Sequence, residues 1–209
     1  MIKQLLFDLD NTLYSAQYGL EKNVSRRIIA YLAQYLGLPP EEAAQRRRER
    51  VPCYGTTLEW LLAEEGFTEI DAYFAAIHPE DEADTLGPDP ALRDFLESLP
   101  LPKAIFTNSP MEHAVRILDK LQIRDLFPRI FDIRGNDFLG KPRAEAFYRV
   151  LDALGTGPEN TLFVDDYPQY ITGYLAIGGK GLLLDEEDKH RDFPHQRIRD
   201  LRELRDFLA

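Results

Sequence analysis

Four short polar stretches carry residue types that can do chemistry together. In chain order they are Asp8-Leu9-Asp10-Asn11-Thr12, Thr107-Asn108-Ser109, Gly140-Lys141-Pro142 and Asp165-Asp166-Tyr167. Asp8 and Asp10 are two residues apart, so on an extended strand both point to one side. Carboxylates held close in a partly dry cleft repel each other and need a shared proton or a cation. Asp165 and Asp166 form a second acidic pair. If the two pairs meet, up to four carboxylates converge, and such oxygen donors suit Mg²⁺. Thr107 offers a hydroxyl and Asn108 an amide. With the backbone N–H groups that open the next helix, they make an anion-binding corner. Lys141 would then be a candidate phosphate clamp. Taken singly, each stretch also fits an acidic turn, a helix cap at Ser109 or a surface lysine; their combination carries the chemistry.

Three of the stretches follow or end an apolar run that can position them. Gln4–Phe7 precedes Asp8, Lys103–Thr107 contains Thr107, and Thr161–Val164 precedes Asp165; Gly181–Leu184 and, more weakly, Ile130–Ile133 are similar. Such runs are typical of strands buried on both faces. Helical patterns lie between them. Ser109-Pro110-Met111-Glu112 reads as a capping box leading to Val115, Leu118 and Leu121. Pro142 opens a helix with Phe147, Val150 and Leu151 inside, and Asp200–Leu208 reads as a final short helix. The alternation predicts an α/β doubly wound core with a parallel sheet. In such a sheet, ligands bind beyond the carboxyl ends of the strands.

About 95 residues, mostly helical in pattern, separate the first strand from the next. Leu20, Val24, Ile28, Leu32 and Leu36 share one helix face. Pro39-Pro40-Glu41 restarts a helix, Pro52 is expected to break it, and Thr57–Leu62 resumes it. Thr68 is expected to cap a helix holding Ile70, Tyr73, Phe74 and Ile77, and Asp89-Pro90 starts the next. The expected organisation is a core of residues 1–14 and 88–209 with a helical lid of residues 15–87. The basic run Arg46–Arg50 reads as a solvated helix face, and His113 is given no chemical role.

Composition narrows the partners. The chain is 44% hydrophobic and 29% charged, as folded soluble domains are, and its formal net charge is −11. That charge argues against binding a nucleic-acid polymer. One cysteine excludes an internal disulfide and a multi-cysteine metal site. No apolar run approaches the roughly 20 residues that span a bilayer, and the opening M-I-K-Q-L-L-F-D-L-D lacks a signal-peptide core. A cytoplasmic location without membrane partners is expected; oligomeric state is not indicated.

The ordered set D-L-D-N-T, F-T-N-S, G-K-P and V-D-D resembles the four-motif signature of the haloacid dehalogenase superfamily. The resemblance implies a phosphatase that forms an aspartyl phosphate and uses Mg²⁺. It assigns Asp8 as nucleophile, Asp10 as general acid/base, Thr107 as phosphoryl ligand and Lys141 as clamp. Asp8, the Asp10 backbone carbonyl and Asp166 would hold the metal, with Asp165 acting through water. Asp10 favours phosphate-ester hydrolysis over dehalogenation, because a departing halide needs no proton. Cys53-Tyr54-Gly55-Thr56-Thr57-Leu58, with Asn108 and His113-Ala114, is similar to the pyrimidine 5′-nucleotidase branch. That similarity implies a nucleoside 5′-monophosphate substrate with Tyr54, Thr57 and Asn108 as contacts. A sugar-phosphate or pyridoxal-phosphate phosphatase is the alternative, and a non-catalytic binding protein a further one. Tyr167, Tyr170 and Trp60 depart from the family pattern.

Overall fold

A computed structural model describes residues 1–208. Six strands form one parallel sheet: β1 (Gln4–Phe7), β2 (Lys103–Phe106), β3 (Arg129–Phe131), β4 (Thr161–Asp165), β5 (Lys180–Leu184) and β6 (Arg197–Ile198). Their order is β3-β2-β1-β4-β5-β6, which bears out the α/β class. The two-residue β6 is too short to leave a periodic signal in sequence. β1 is central, with Phe7 in register with Ile105 of β2 and Val164 of β4. The carboxyl ends of these strands therefore present Asp8, Thr107 and Asp165 at one edge.

Side-chain alternation builds a core on each face of the sheet. Leu5 and Phe7 join Ile105, Val164 and Leu182 on one face, which packs on α5 (Pro90–Glu97) and α6 (Met111–Leu121). Leu6, Phe106, Phe163 and Leu183 face the other way, onto α7 (Ala144–Leu154) and α8 (Pro168–Ala176). There Phe106, Phe147, Phe163 and Tyr174 pack with ring centroids 5.0–5.5 Å apart, a spacing that favours aromatic pairs.

Between β1 and α5 lie α1 (Leu20–Leu36), α2 (Pro40–Tyr54), α3 (Thr57–Glu64) and α4 (Ile70–Ile77). Their apolar faces enclose a separate core that includes Ile28, Leu32, Trp60, Leu61, Phe67, Tyr73 and Phe74, joined by Ile133 and Phe138. No helix among the described residues is long and apolar enough to cross a membrane.

Several local expectations are corrected. Pro52 does not break α2, which continues through it to Tyr54; the proline only withholds one N–H from the helical ladder. Thr68 does not cap α4, which is preceded by Glu69 without a side-chain cap bond. The helix after Pro142 begins at Ala144. The last segment, Leu201–Phe207, is a 3₁₀ helix closed by an Asp200–Glu203 capping box. Ser109 does not cap α6, which starts at Met111; its hydroxyl has another partner, described below.

The loop that carries Lys141 is pressed against α8. A Cβ on Gly173 would lie 2.6 Å from the Pro142 carbonyl oxygen and 2.8 Å from the Pro142 Cβ. Neither neighbour is a flexible side-chain end, so Gly173→Ala must shift the loop. We expect a net destabilisation of about 1–3 kcal/mol, despite the roughly 1 kcal/mol helix preference for Ala over Gly. Thermal unfolding reads this as a fall of about 2–4 °C per kcal/mol; an unchanged midpoint would mean that the loop is not held by this contact.

Candidate active site

The Lys141 side chain is fully buried. Its Nζ donates to Asp8 Oδ1 and to Asp165 Oδ2, each at 2.6 Å. The rings of Tyr170, Phe163 and Phe106 lie 4.9, 5.2 and 5.5 Å from the ammonium, where their negative faces favour a cation. Burial alone would discharge the lysine, but Asp165 and Asp8 hold its pKa above the usual value. Asn108 fixes the loop from both sides. Its Oδ1 accepts from the Lys141 N–H at 2.8 Å, and its Nδ2 donates to the Lys141 carbonyl at 3.0 Å and the Tyr170 hydroxyl at 3.2 Å. Gly140 permits this approach, since a Cβ there would come 2.9 Å from Asn108 Oδ1 and 2.7 Å from Thr56 Cγ2.

Asp8, Asp165 and Asp166 bring carboxylate oxygens within 4.8 Å of one another. Burial pushes Asp8 up to about 8, with Lys141 opposing and the charges of Asp165 and Asp10 adding to it. Burial, then the charges of Asp165, Asp8 and Glu21, pushes Asp166 up to about 9. One lysine does not neutralise three carboxylates. The donor set is all oxygen and short of positive charge, so it fits a hard divalent cation. Asp165 Oδ2 accepts from Lys141 Nζ and its Oδ1 accepts from the Tyr167 N–H at 2.8 Å. Asp166 accepts from Asn11 Nδ2 at 3.3 Å and lines the cleft.

Asp10 sits in the opposite environment. Its Oδ1 accepts from the Tyr14 hydroxyl at 2.5 Å and lies 2.7 Å from His113 Nε2; its Oδ2 accepts from the Ser109 hydroxyl at 3.0 Å. Burial would raise Asp10, but the charge and hydrogen bond of His113 hold its carboxyl well below the usual range. Burial would lower His113, but Asp10 and Glu82 bring it up to about 10. Sequence reasoning missed Tyr14, Ser109 and Glu82 in this role and gave His113 none. Tyr14 is on the loop after β1, Ser109 in the turn before α6, His113 on α6 and Glu82 in the segment after α4; the sequence marks Ser109 only as a helix cap.

A cleft of about 270 Å³ joins these groups to the helical insert. Its lining includes Asp8, Asp10, Thr107, Asn108 and Asp166 below, and Arg47, Thr57 and Tyr73 above. The Thr107 hydroxyl accepts from the Ser109 N–H at 3.0 Å. Tyr54 is not in the lining; its hydroxyl donates to Glu64 at 2.8 Å. Thr57 is present, but its hydroxyl accepts from Arg47 Nε at 2.9 Å. Arg47 thus departs from the solvated face expected of the basic run, while Arg48 and Arg50 remain exposed. Tyr167 and Tyr170 both line the cleft, and their rings lie 4.8 Å apart.

A sequence model of the haloacid dehalogenase-like hydrolases matches residues 2–171. The chain belongs to this family. Phosphate metabolism protein 8 of Saccharomyces cerevisiae is 26% identical over 190 residues, covering 84% of this chain and 59% of that protein. The chain thus spans less than two thirds of that relative's length. Phosphoglycolate phosphatase of Pectobacterium atrosepticum is 28% identical over 190 residues, covering 85% of this chain and 77% of that protein. A HAD phosphatase from Thermococcus onnurineus superimposes with a TM-score of 0.67 at 19% identity, covering 100% of this chain and 98% of that one. That likeness establishes the fold.

The raised Asp166 has a consequence for stability. Its folded form holds a proton more tightly than the unfolded chain does, so in chelator the wild type loses stability as pH rises from about 4 toward about 9. Asp166→Asn removes that term. In chelator the variant should be the more stable by about 1 kcal/mol or more at pH 8, with a smaller gap at pH 5. Denaturant unfolding at the two pH values checks this, and a wild type that is the more stable at pH 8 would contradict the repulsion.

Proposed function

We propose that this protein is a Mg²⁺-dependent phosphomonoesterase that transfers a phosphoryl group to Asp8 and then to water. The observation that carries the reading is the pair Asp8 and Asp10. Two residues apart, they are held by different partners: Lys141 donates to Asp8, whereas Tyr14, Ser109 and His113 meet Asp10. Asp8 Oδ1 is on Lys141, which leaves its second oxygen for the cleft. Attack of a carboxylate on a phosphate is opposed by like charge, and Lys141 offsets part of it. Asp8, Asp166 and the Asp10 backbone carbonyl are the groups that would hold Mg²⁺, which supplies further charge neutralisation when bound. Thr107 and the α6 N-terminus would receive the phosphoryl oxygens.

In the first step the Asp8–phosphorus bond forms and the ester oxygen leaves, taking a proton by way of Asp10. The imidazole of His113 stands 2.7 Å behind Asp10 Oδ1. In the second step Asp10 takes a proton from a water whose oxygen bonds to phosphorus as the Asp8–phosphorus bond breaks, releasing inorganic phosphate and restoring the Asp8 carboxylate.

For the substrate we propose a nucleoside 5′-monophosphate, supported by the apolar and aromatic wall of Val24, Ile28, Tyr73 and Phe74 opposite Asp8. A second reading, a small phosphate ester with another anionic group, is favoured by Arg47. Its Nε and Nη1 donate to the hydroxyls of Thr57 and Ser25, and it forms no carboxylate ion pair within 4.0 Å among the described residues. Its remaining N–H groups are free for an acid, as phosphoglycolate would offer.

Asp8→Asn should lower turnover by at least roughly 1,000-fold while leaving the fold intact, and chelation of Mg²⁺ should do nearly the same. Full activity in either condition, followed by phosphate release, would refute the mechanism. Arg47→Ala separates the substrate readings. KM for carboxylate-bearing phosphate esters should rise about 10-fold, with that for p-nitrophenyl phosphate nearly unchanged. An equal effect on both would remove the anion reading.

A further inference from the structure

The strongest buried polar cluster outside the metal-fitting carboxylates begins at Asp10 and runs to the root of the helical insert. His113 is 1% exposed, and its two ring nitrogens each face a carboxylate: Nε2 lies 2.7 Å from Asp10 Oδ1 and Nδ1 lies 2.7 Å from Glu82 Oε1. A carboxylate oxygen cannot donate when ionised, so an imidazole between two of them donates at both nitrogens. Glu82 is itself buried. Arg116 Nη1 donates to its Oε1 at 2.5 Å, and His78 Nδ1 lies 2.9 Å from its Oε2. The cluster holds two carboxylates against one guanidinium, one doubly donating imidazole and a second imidazole, so it is close to charge-balanced.

His78, Glu82 and His113 also have the spacing of a metal site. Two facts argue for protons there instead. Both Nδ1 atoms face Glu82 oxygens at hydrogen-bond distance, and a guanidinium already occupies the oxygen that His113 shares. A cation placed among them would meet Arg116 at close range.

Position in the chain gives the cluster its interest. His78 is the residue that ends α4, the last helix of the insert, and Glu82 lies four residues on, in the segment returning to the sheet. His113 is on α6 and Asp10 on the loop leaving β1. Three separate parts of the chain thus meet at the His113 imidazole.

We propose that Glu82 and His113 are positioning residues that hold the Asp10 carboxylate in its working orientation and make that orientation depend on the docking of the insert's return segment. The proposal rests on the phosphatase reading for the role of Asp10, but the position of its side chain does not. Tyr14 and Ser109 supply two further donors to Asp10, so its carboxylate is held from three sides. Of these, only His113 continues to the insert. If the insert swings away with Glu82, His113 loses the acceptor at Nδ1 and Asp10 loses its fixed partner.

The test uses His113→Ala, His113→Gln and Glu82→Gln in the full chain. Gln can reach Asp10 with one donor, so it serves where the alanine variant fails to fold. Rapid-quench measurements follow phosphoryl transfer to Asp8 from an alkyl phosphate and from p-nitrophenyl phosphate. An alkoxide needs a proton as it leaves, and a nitrophenolate scarcely does. His113→Ala and Glu82→Gln should therefore slow transfer from the alkyl ester by roughly 100-fold and transfer from the nitrophenyl ester far less. His113→Gln should restore much of the difference. Equal slowing of both esters, or no slowing, would overturn the proposal. Crystal structures of the same variants give a second readout. They should place the Asp10 carboxylate away from its wild-type position in His113→Ala, with the Lys141–Asp8 pair undisturbed. An unmoved Asp10 would overturn the proposal even if the rates fall. If the wild-type protein transfers phosphate from neither ester, the phosphatase reading fails, and the structures alone still decide whether His113 positions Asp10.

Discussion

The buried ammonium of Lys141 is the interaction on which the rest depends. It lies between Asp8 and Asp165, at the ends of two adjacent strands, with no contact with water. Without it two carboxylates would face each other in a dry pocket, and removing one partner of a buried ion pair typically costs about 3–5 kcal/mol. Much of the surrounding structure holds this one group. Asn108 brackets its backbone, Gly140 lets Asn108 approach, Tyr170 covers its side chain, and α8 presses on the next residue through Gly173. A folding constraint and a chemical requirement are met by the same cation.

Asp8 and Asp10 illustrate how little of a carboxylate's behaviour is intrinsic. Asp8 continues the line of β1 into a pocket with other acids, so burial and like charge push its proton affinity up. Asp10 is two residues further, after the chain has left the strand, and meets donors from the β1 loop, the β2–α6 turn and α6. The same functional group is drawn in opposite directions within one short loop.

The helical insert's apolar core takes in Ile133 and Phe138 from the loop after β3, and polar fasteners join the two parts as well. Arg143 donates to Glu59 Oε1 at 2.6 Å and to the Tyr54 carbonyl at 3.1 Å. Arg134 pairs with Asp71 at 2.7 Å and lies over the Phe74 ring, and Asn11 donates to Glu21 at 2.7 Å. These contacts explain why Tyr54 is absent from the cleft: the end of α2 is turned toward Arg143 and Glu64 rather than toward Asp8.

Sequence alone determined the class of the fold and the chemistry-bearing residues at its active edge. Runs such as Leu5-Leu6-Phe7 and Leu162-Phe163-Val164 report burial on both faces locally, and parallel strands leave their carboxyl ends no choice but one edge. Asp8, Thr107 and Asp165 were therefore legible together, and Lys141 joined them through the ordered motifs; the helical insert was legible from its four-residue periodicity. Tertiary structure alone decided what each polar group touches. Whether Ser109 caps a helix or donates to Asp10, whether Arg47 faces water or the cleft, and whether Tyr54 meets Glu64 depend on residues distant in sequence or on how helices pack. The Asp10–His113–Glu82 chain lay beyond reach for the same reason. Periodicity records whether a side chain is buried, whereas a hydrogen bond depends on the angle and distance at which two separately folded segments finally meet.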